Sequence, residues 1–162
     1  MSQLQLVGPE HEAAVLAFEK SNRAYFTKSI NDRGDRFFDQ YPARHRELMT
    51  EQEAGTSAFY VSVDDQSAVV GRFNLYRISD GTAEVGYRVA ERVSGHGVAT
   101  SGVRTLCLIA RDDFGLSTLT AATSSENIAS QQVLLKAGFA YVEPTDVAGR
   151  PGLLFHIDLR TL

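Results

Sequence analysis

A single cysteine in 162 residues rules out an internal disulfide and a thiolate-built metal site, so nothing ties the chain to an oxidising compartment. Net charge of either sign is small as well. Sixteen Lys and Arg against 20 Asp and Glu leave a formal net charge of −4, which provides no basic surface for coating nucleic acid. Nowhere do 18 apolar residues run together, and the opening MSQLQLVGPEHEAAV has neither a basic n-region nor a long apolar stretch. No membrane span or leader is expected, and the expected location is the cytoplasm. Low-complexity tracts, like-charge blocks and fixed-period repeats are missing too. What is present is 43% hydrophobic residues, enough to bury one sizeable core, so residues 1–162 are expected to form a single domain.

Periodicity gives the order of elements. Leu4 and Leu6 mark a short strand that stops at Gly8-Pro9, after which Ala14, Leu16, Ala17 and Phe18 begin an amphipathic helix. SINDRGD (29–35) reads as a loop. Phe37, Phe38, Tyr41, His45, Leu48 and Met49 then repeat at helical spacing, with Pro42 imposing a kink or a division into two shorter helices. From Ser57 the period becomes two: SAFYVSV, AVVGRFNLYRI and TAEVGYRVA, separated by turn residues, read as an antiparallel meander. GVATSGVRTLCLIARDDFG is helical and closes at Gly115. A strand STLTAAT, a helix NIASQQVLLKAG and strands near FAYVEP and GLLFHIDL complete the chain. The order predicts an α/β or α+β domain with a mixed sheet rather than a doubly wound one.

Chemistry concentrates between Tyr87 and Ala110, where a strand passes through a short polar loop into a glycine-rich helix start. Gly95, Gly97 and Ala99 keep side chains away from a helix N-terminus, whose first amides lack intrahelical partners and whose dipole favours an anion. A dinucleotide fingerprint fails, because Thr100 stands where GxGxxG needs its last glycine, and the lysine of a P-loop is missing as well. The alternative to a phosphate cradle is a helix entry that simply packs tightly.

Three segments in order, AEVGYRV (83–89), GHGVATSGV (95–103) and NIASQQVLLKAGF (127–139), resemble the GNAT superfamily of acyl-CoA N-acyltransferases, and within it the RimJ/RimL-type ribosomal-protein N-acetyltransferases. The resemblance covers most of the chain and is densest from Phe59 to Phe139. It implies a mixed, mostly antiparallel twisted sheet of six to seven strands flanked by about four helices, with the fourth and fifth strands parting to admit acyl-CoA. It implies acetyl-CoA as co-substrate, direct acyl transfer to a protein N-terminal amine or a small-molecule amine, no metal, and a monomer or homodimer. A non-catalytic acyl-CoA-binding module is the alternative.

The family's pyrophosphate signature Q/R-x-x-G-x-G/A fits in two registers, Arg92 to Gly97 or Ser94 to Ala99; the second matches the family's loop position and leaves Ser94 where Gln or Arg is usual. By resemblance, the backbone N–H groups of Gly95, His96, Gly97, Val98, Ala99 and Thr100 cradle the pyrophosphate. Backbone groups of Tyr87, Arg88 and Val89 pair with pantetheine like an added strand. Asn127 reads independently as a helix N-cap, and the resemblance adds a contact to the pantetheine or the thioester.

For catalysis the resemblance offers Glu84 as general base and Ser130 as the acid for the departing thiolate, with backbone donors near Val89 holding the oxyanion. Two other familiar positions are filled differently, by Leu134 where an acidic tyrosine is common and by Ala122 where a glutamate is common. The plainer alternatives are an ion pair between Glu84 and Arg72 or Arg88, and a Ser130 hydroxyl bonded to its own helix backbone. Cys107 reads as core filling. His11, His45, His96 and His156 show no ligand spacing. Phe37, Phe38 and Tyr41 read first as helix core, while the resemblance implies an acceptor wall built from the 25–50 stretch, with its aromatics, Arg44 and His45 as candidates.

Overall fold

The computed structural model describes residues 3–162. Seven strands form one sheet: β1 (Gln5–Leu6), β2 (Ala58–Val63), β3 (Val69–Ser79), β4 (Thr82–Val89), β5 (Thr118–Ser124), β6 (Ala140–Val147) and β7 (Arg150–Asp158). Their spatial order is β1-β2-β3-β4-β5-β7-β6, and every neighbouring pair is antiparallel except β4 and β5. Six helices accompany it: α1 (Glu12–Ser21), α2 (Arg23–Phe26), α3 (Asp35–Asp39), α4 (Tyr41–Glu53), α5 (Val98–Asp112) and α6 (Ile128–Ala137). Four of them reach ten residues or more. The expected GNAT architecture is therefore present, and the two expected outcomes at Pro42 resolve into separate helices. Pro42 stands in the first turn of α4, where its missing N–H costs nothing.

Strand alternation divides the core into two layers. Ala58 and Tyr60 of β2, with Phe73 and Leu75 of β3, pack against Val103, Leu106, Cys107 and Ala110 of α5. Phe59 and Val61 face the opposite way, toward Val15 and Phe18 of α1, Phe26 of α2 and Tyr41 and Leu48 of α4. Each fully buried Leu or Phe in these layers contributes about 1.5–3 kcal/mol relative to exposure. Gly102 sets how close α5 comes to the sheet: a Cβ there would lie 2.1 Å from the Phe73 ring. The Phe73 ring in turn stacks on Tyr87, with centroids 6.2 Å apart and planes within 11°.

Candidate active site

Parallel pairing between β4 and β5 runs only from Thr82–Glu84 to Thr118–Thr120. Beyond it, β5 continues to Ser124 against β7 and β4 continues to Val89 against β3, so the two strands part and the facing edge of residues 85–89 has no strand beside it. A groove of about 260 Å³ lies here, bordered by Tyr87, Arg88, Val89, Gly95, Ala99 and Asn127. A second groove of about 190 Å³, deeper in the fork, has Val85, Gly86, Tyr87, Ala122 and Asn127 in its wall. Ser130 lines both.

At the mouth, Gly95 and Gly97 adopt φ of 79° and 81°, the left-handed region that glycine tolerates and other residues resist. Gly97 caps α5 from just outside the helix. The Ser101 amide makes the first bond of the helical ladder, to the Gly97 carbonyl at 3.0 Å. The amides of Val98, Ala99 and Thr100 thus stand ahead of the ladder at the positive end of a 15-residue helix. His96 is exposed. These residues suit a phosphate-bearing ligand, and an uncovered strand edge suits an extended amide chain such as pantetheine.

Asn127 caps α6 as expected: its Oδ1 accepts from the Ser130 amide at 3.1 Å, which leaves Nδ2 out of the cap. The Ser130 hydroxyl does not turn back to its own helix. Its Oγ is 2.9 Å from the Tyr87 hydroxyl, and burial pushes the Tyr87 phenol above its ordinary value, keeping it protonated. Tyr87 was legible only as a backbone contact; its hydroxyl adds a second proton carrier to the site.

Glu84 is placed on the other face of β4, the face shared with Gly86 and Arg88, and lines neither groove. Its partner is Arg77, at 2.5 Å, and not Arg72 or Arg88. Those two arginines converge on Glu19 of α1, a fully buried carboxylate that no sequence motif singled out, at 2.8 and 3.0 Å. Arg33 adds a third contact at 3.4 Å. Tyr25 and Phe26, aromatics of the 25–50 stretch, close the first groove together with Ile30, which no sequence signal singled out; the Tyr25 hydroxyl donates to Ser94 Oγ at 3.2 Å. Their spacing is ordinary for helix and loop, so only the tertiary fold brings them over the groove.

The proposed acceptor wall is corrected in part. Tyr41 and His45 are buried in the core, where the imidazole bridges the Tyr41 hydroxyl (3.1 Å) and the Gly8 carbonyl (3.0 Å). Arg44 lies on the surface with Glu47 and Glu51. Phe37 and Phe38 instead carry the guanidiniums of Arg33 and Arg23 on their ring faces. Cys107 is buried, and desolvation pushes its thiol up to about 12. Among the described residues no three His, Cys, Asp or Glu side chains gather as a metal site, and no helix is long and apolar enough to cross a membrane.

Residues 4–140 match the Acetyltransferase (GNAT) domain family. A Bacillus subtilis (strain 168) protein named "Probable N-acetyltransferase YjcK" is 27% identical over 132 residues, covering 76% of this chain and 72% of that protein. Among solved structures, the ribosomal-protein-S5-alanine acetyltransferase of Vibrio fischeri superposes with a TM-score of 0.89 at 18% identity, covering 97% of this chain and 92% of the other. Mycobacterium smegmatis RimJ in complex with CoA-disulfide gives 0.87 at 22% identity, with 98% and 82% covered. The Vibrio cholerae spermidine N-acetyltransferase in complex with CoA and spermine gives 0.81 at 14% identity, with 98% and 96% covered.

Proposed function

The chain belongs to the GNAT acetyltransferase family, and from that membership we propose that it moves the acetyl group of acetyl-CoA directly onto a primary amine, either a protein N-terminus or a small molecule. The observation that carries this reading is the parting of β4 and β5 beside a helix N-terminus with two left-handed glycines. Bound acetyl-CoA supplies an activated thioester. The amides of Gly95 and of Gly97 to Thr100 hold its pyrophosphate, and the open edge of Tyr87–Val89 pairs with its pantetheine. Asn127 Nδ2 is free to donate to the same chain.

The new C–N bond forms as the C–S bond breaks, so the amine must lose a proton and the sulfur must gain one. Ser130 protonates the sulfur and is resupplied by Tyr87, whose buried phenol is a neutral donor. Backbone donors on the uncovered edge of β4 near Val89 face the charge that builds on the carbonyl oxygen. Glu84 receives the amine's proton through water, from the face of β4 that it shares with Gly86, and does so in competition with Arg77. Holding both reactants in one fork supplies much of the acceleration.

Thiol release from acetyl-CoA over a panel of amines tests this reading, alongside CoA binding by calorimetry. Amine-dependent release supports it; CoA binding without release on any amine would leave a non-catalytic acyl-CoA-binding module.

A further inference from the structure

On the α1 side of the sheet, β3 and β4 set Arg72 opposite Arg88 and Asn74 opposite Gly86. Two like charges directly across a strand pair repel, and here both are largely buried. Glu19 lies between them and also takes Arg33, so one carboxylate faces three guanidiniums. Asp32 and Asp35 are both held by Arg23, at 2.6 and 2.9 Å, a trio of net −1 that leaves the whole cluster of four arginines and three carboxylates at +1. Burial lowers Arg88 to about 10, with Arg33 and Arg72 pushing the same way.

These arginines are not loose surface groups. Arg88 rests on the Phe26 ring (4.6 Å) and Arg33 on Phe37 (4.7 Å), while Arg72 is 6% exposed. Together with Asn74 and Tyr76 they line a cavity of about 170 Å³ that reaches Gly86 and Tyr87, the residues at the fork. The Tyr76 ring packs directly over Gly86, where a Cβ would lie 2.8 Å from it. Asn74 is 7% exposed and its Nδ2 donates to the Tyr76 hydroxyl at 2.9 Å, yet its Oδ1 has no hydrogen-bond partner among the described residues. An orphaned buried acceptor of this kind costs stability unless a ligand donates to it.

We infer that this cavity is the acceptor pocket and that it takes an amine bearing a carboxylate: the guanidiniums of Arg33, Arg72 and Arg88 grip the carboxylate while Asn74 Oδ1 accepts an N–H of the same molecule. The inference rests on the acyltransferase reading for its chemistry but predicts binding independently of turnover. Each guanidinium has five donors, so the bonds to Glu19 leave others for a second carboxylate. A polyamine enters a site of the wrong sign. The carboxylate belongs either to a free amino acid or to an acidic residue behind a protein N-terminus, and the recognition chemistry is the same.

Two matched pairs separate those sources: serine against serinamide, and the amidated peptide Ser-Asp-Gly against amidated Ser-Asn-Gly, with spermidine as the cationic control. Each is measured for kcat/KM with acetyl-CoA and for binding to the CoA-loaded protein by calorimetry. The carboxylate member of at least one pair is expected to win by about 10- to 100-fold, the size of a charge-assisted contact. Arg33→Gln, at the most exposed of the three arginines, is expected to cut that preference about tenfold while the KM for acetyl-CoA stays put. Asn74→Asp, nearly isosteric, is expected to turn the preference toward the amides. Equal or better binding and turnover of both amides, or of spermidine, by the unaltered protein overturns the inference and leaves the acyltransferase reading intact. Carboxylate-selective binding with no turnover of any amine supports the pocket and overturns the acyltransferase reading instead.

Discussion

The hydroxyl of Tyr87 on β4 lies 2.9 Å from Oγ of Ser130 on α6, a hydrogen bond that crosses the fork where the sheet opens. The Tyr87 ring is fixed from below by Phe73, and Ser130 is fixed by the Asn127 cap. Tyr87→Phe preserves the ring stack and deletes the hydroxyl. Its kcat is expected to fall about 10- to 100-fold, within the range of a lost proton donor, with little change in the KM for acetyl-CoA. Ser130→Ala should fall similarly, and steady-state kinetics of the double variant should show far less than the product of the two, because the groups act as one relay.

Gly95→Ala and Gly97→Ala isolate backbone strain from crowding. An added Cβ at either position meets nothing within 4 Å, yet φ near 80° costs an L-residue about 1–2 kcal/mol. The loop is expected to relax away from its present shape, weakening CoA binding by about 5- to 30-fold in calorimetry at that cost. An unchanged affinity would mean that the loop amides do not hold the pyrophosphate.

Glu19→Gln removes the carboxylate that three arginines share. Breaking a buried ion pair from one side costs about 3–5 kcal/mol, so urea denaturation should show a loss of that order. Adding Arg88→Gln relieves part of the repulsion, and the double variant is expected to be more stable than the sum of the single effects.

The Cys107 thiol, pushed up to about 12 by burial, holds almost no thiolate at neutral pH. Iodoacetamide at pH 8 should leave the folded protein unlabelled and fully active, with labelling complete in denaturant. Rapid labelling with loss of thiol release would assign the cysteine a role in the reaction.

Arg23 holds the Asp32 carboxyl at about 2, below its ordinary 3.8. A depressed folded-state value means that the pair's contribution is complete above the unfolded value and is lost as pH falls from there toward 2. A carbon-13 NMR titration should place the Asp32 midpoint well below those of free surface aspartates, and Arg23→Ala should return it toward 3.8.

Element types and their order were legible from the residues because alternation in β2–β4 and helical spacing in α5 and α6 are local signals. The glycine-rich entry to α5 and the Asn127 cap were legible for the same reason: each is a short-range demand of the backbone. The hydroxyl pair and the arginine cluster were not, since Tyr87 and Ser130 are 43 residues apart and Glu19 and Arg88 are 69 apart. Glu84 illustrates the converse. Strand alternation alone puts it on the face of β4 away from Tyr87, but its partner, Arg77, follows from the irregular register between Tyr76 and Ser79, where Arg77 itself takes a φ of 51°.

The three residue pairs that join β4 to β5 make the sheet two blocks sharing a narrow seam. In the proposed reading pantetheine takes the place of a strand across the rest of that seam, and the co-substrate is then a structural member as well as a reagent. The proposed acceptor cavity abuts the same seam at Gly86 and Tyr87.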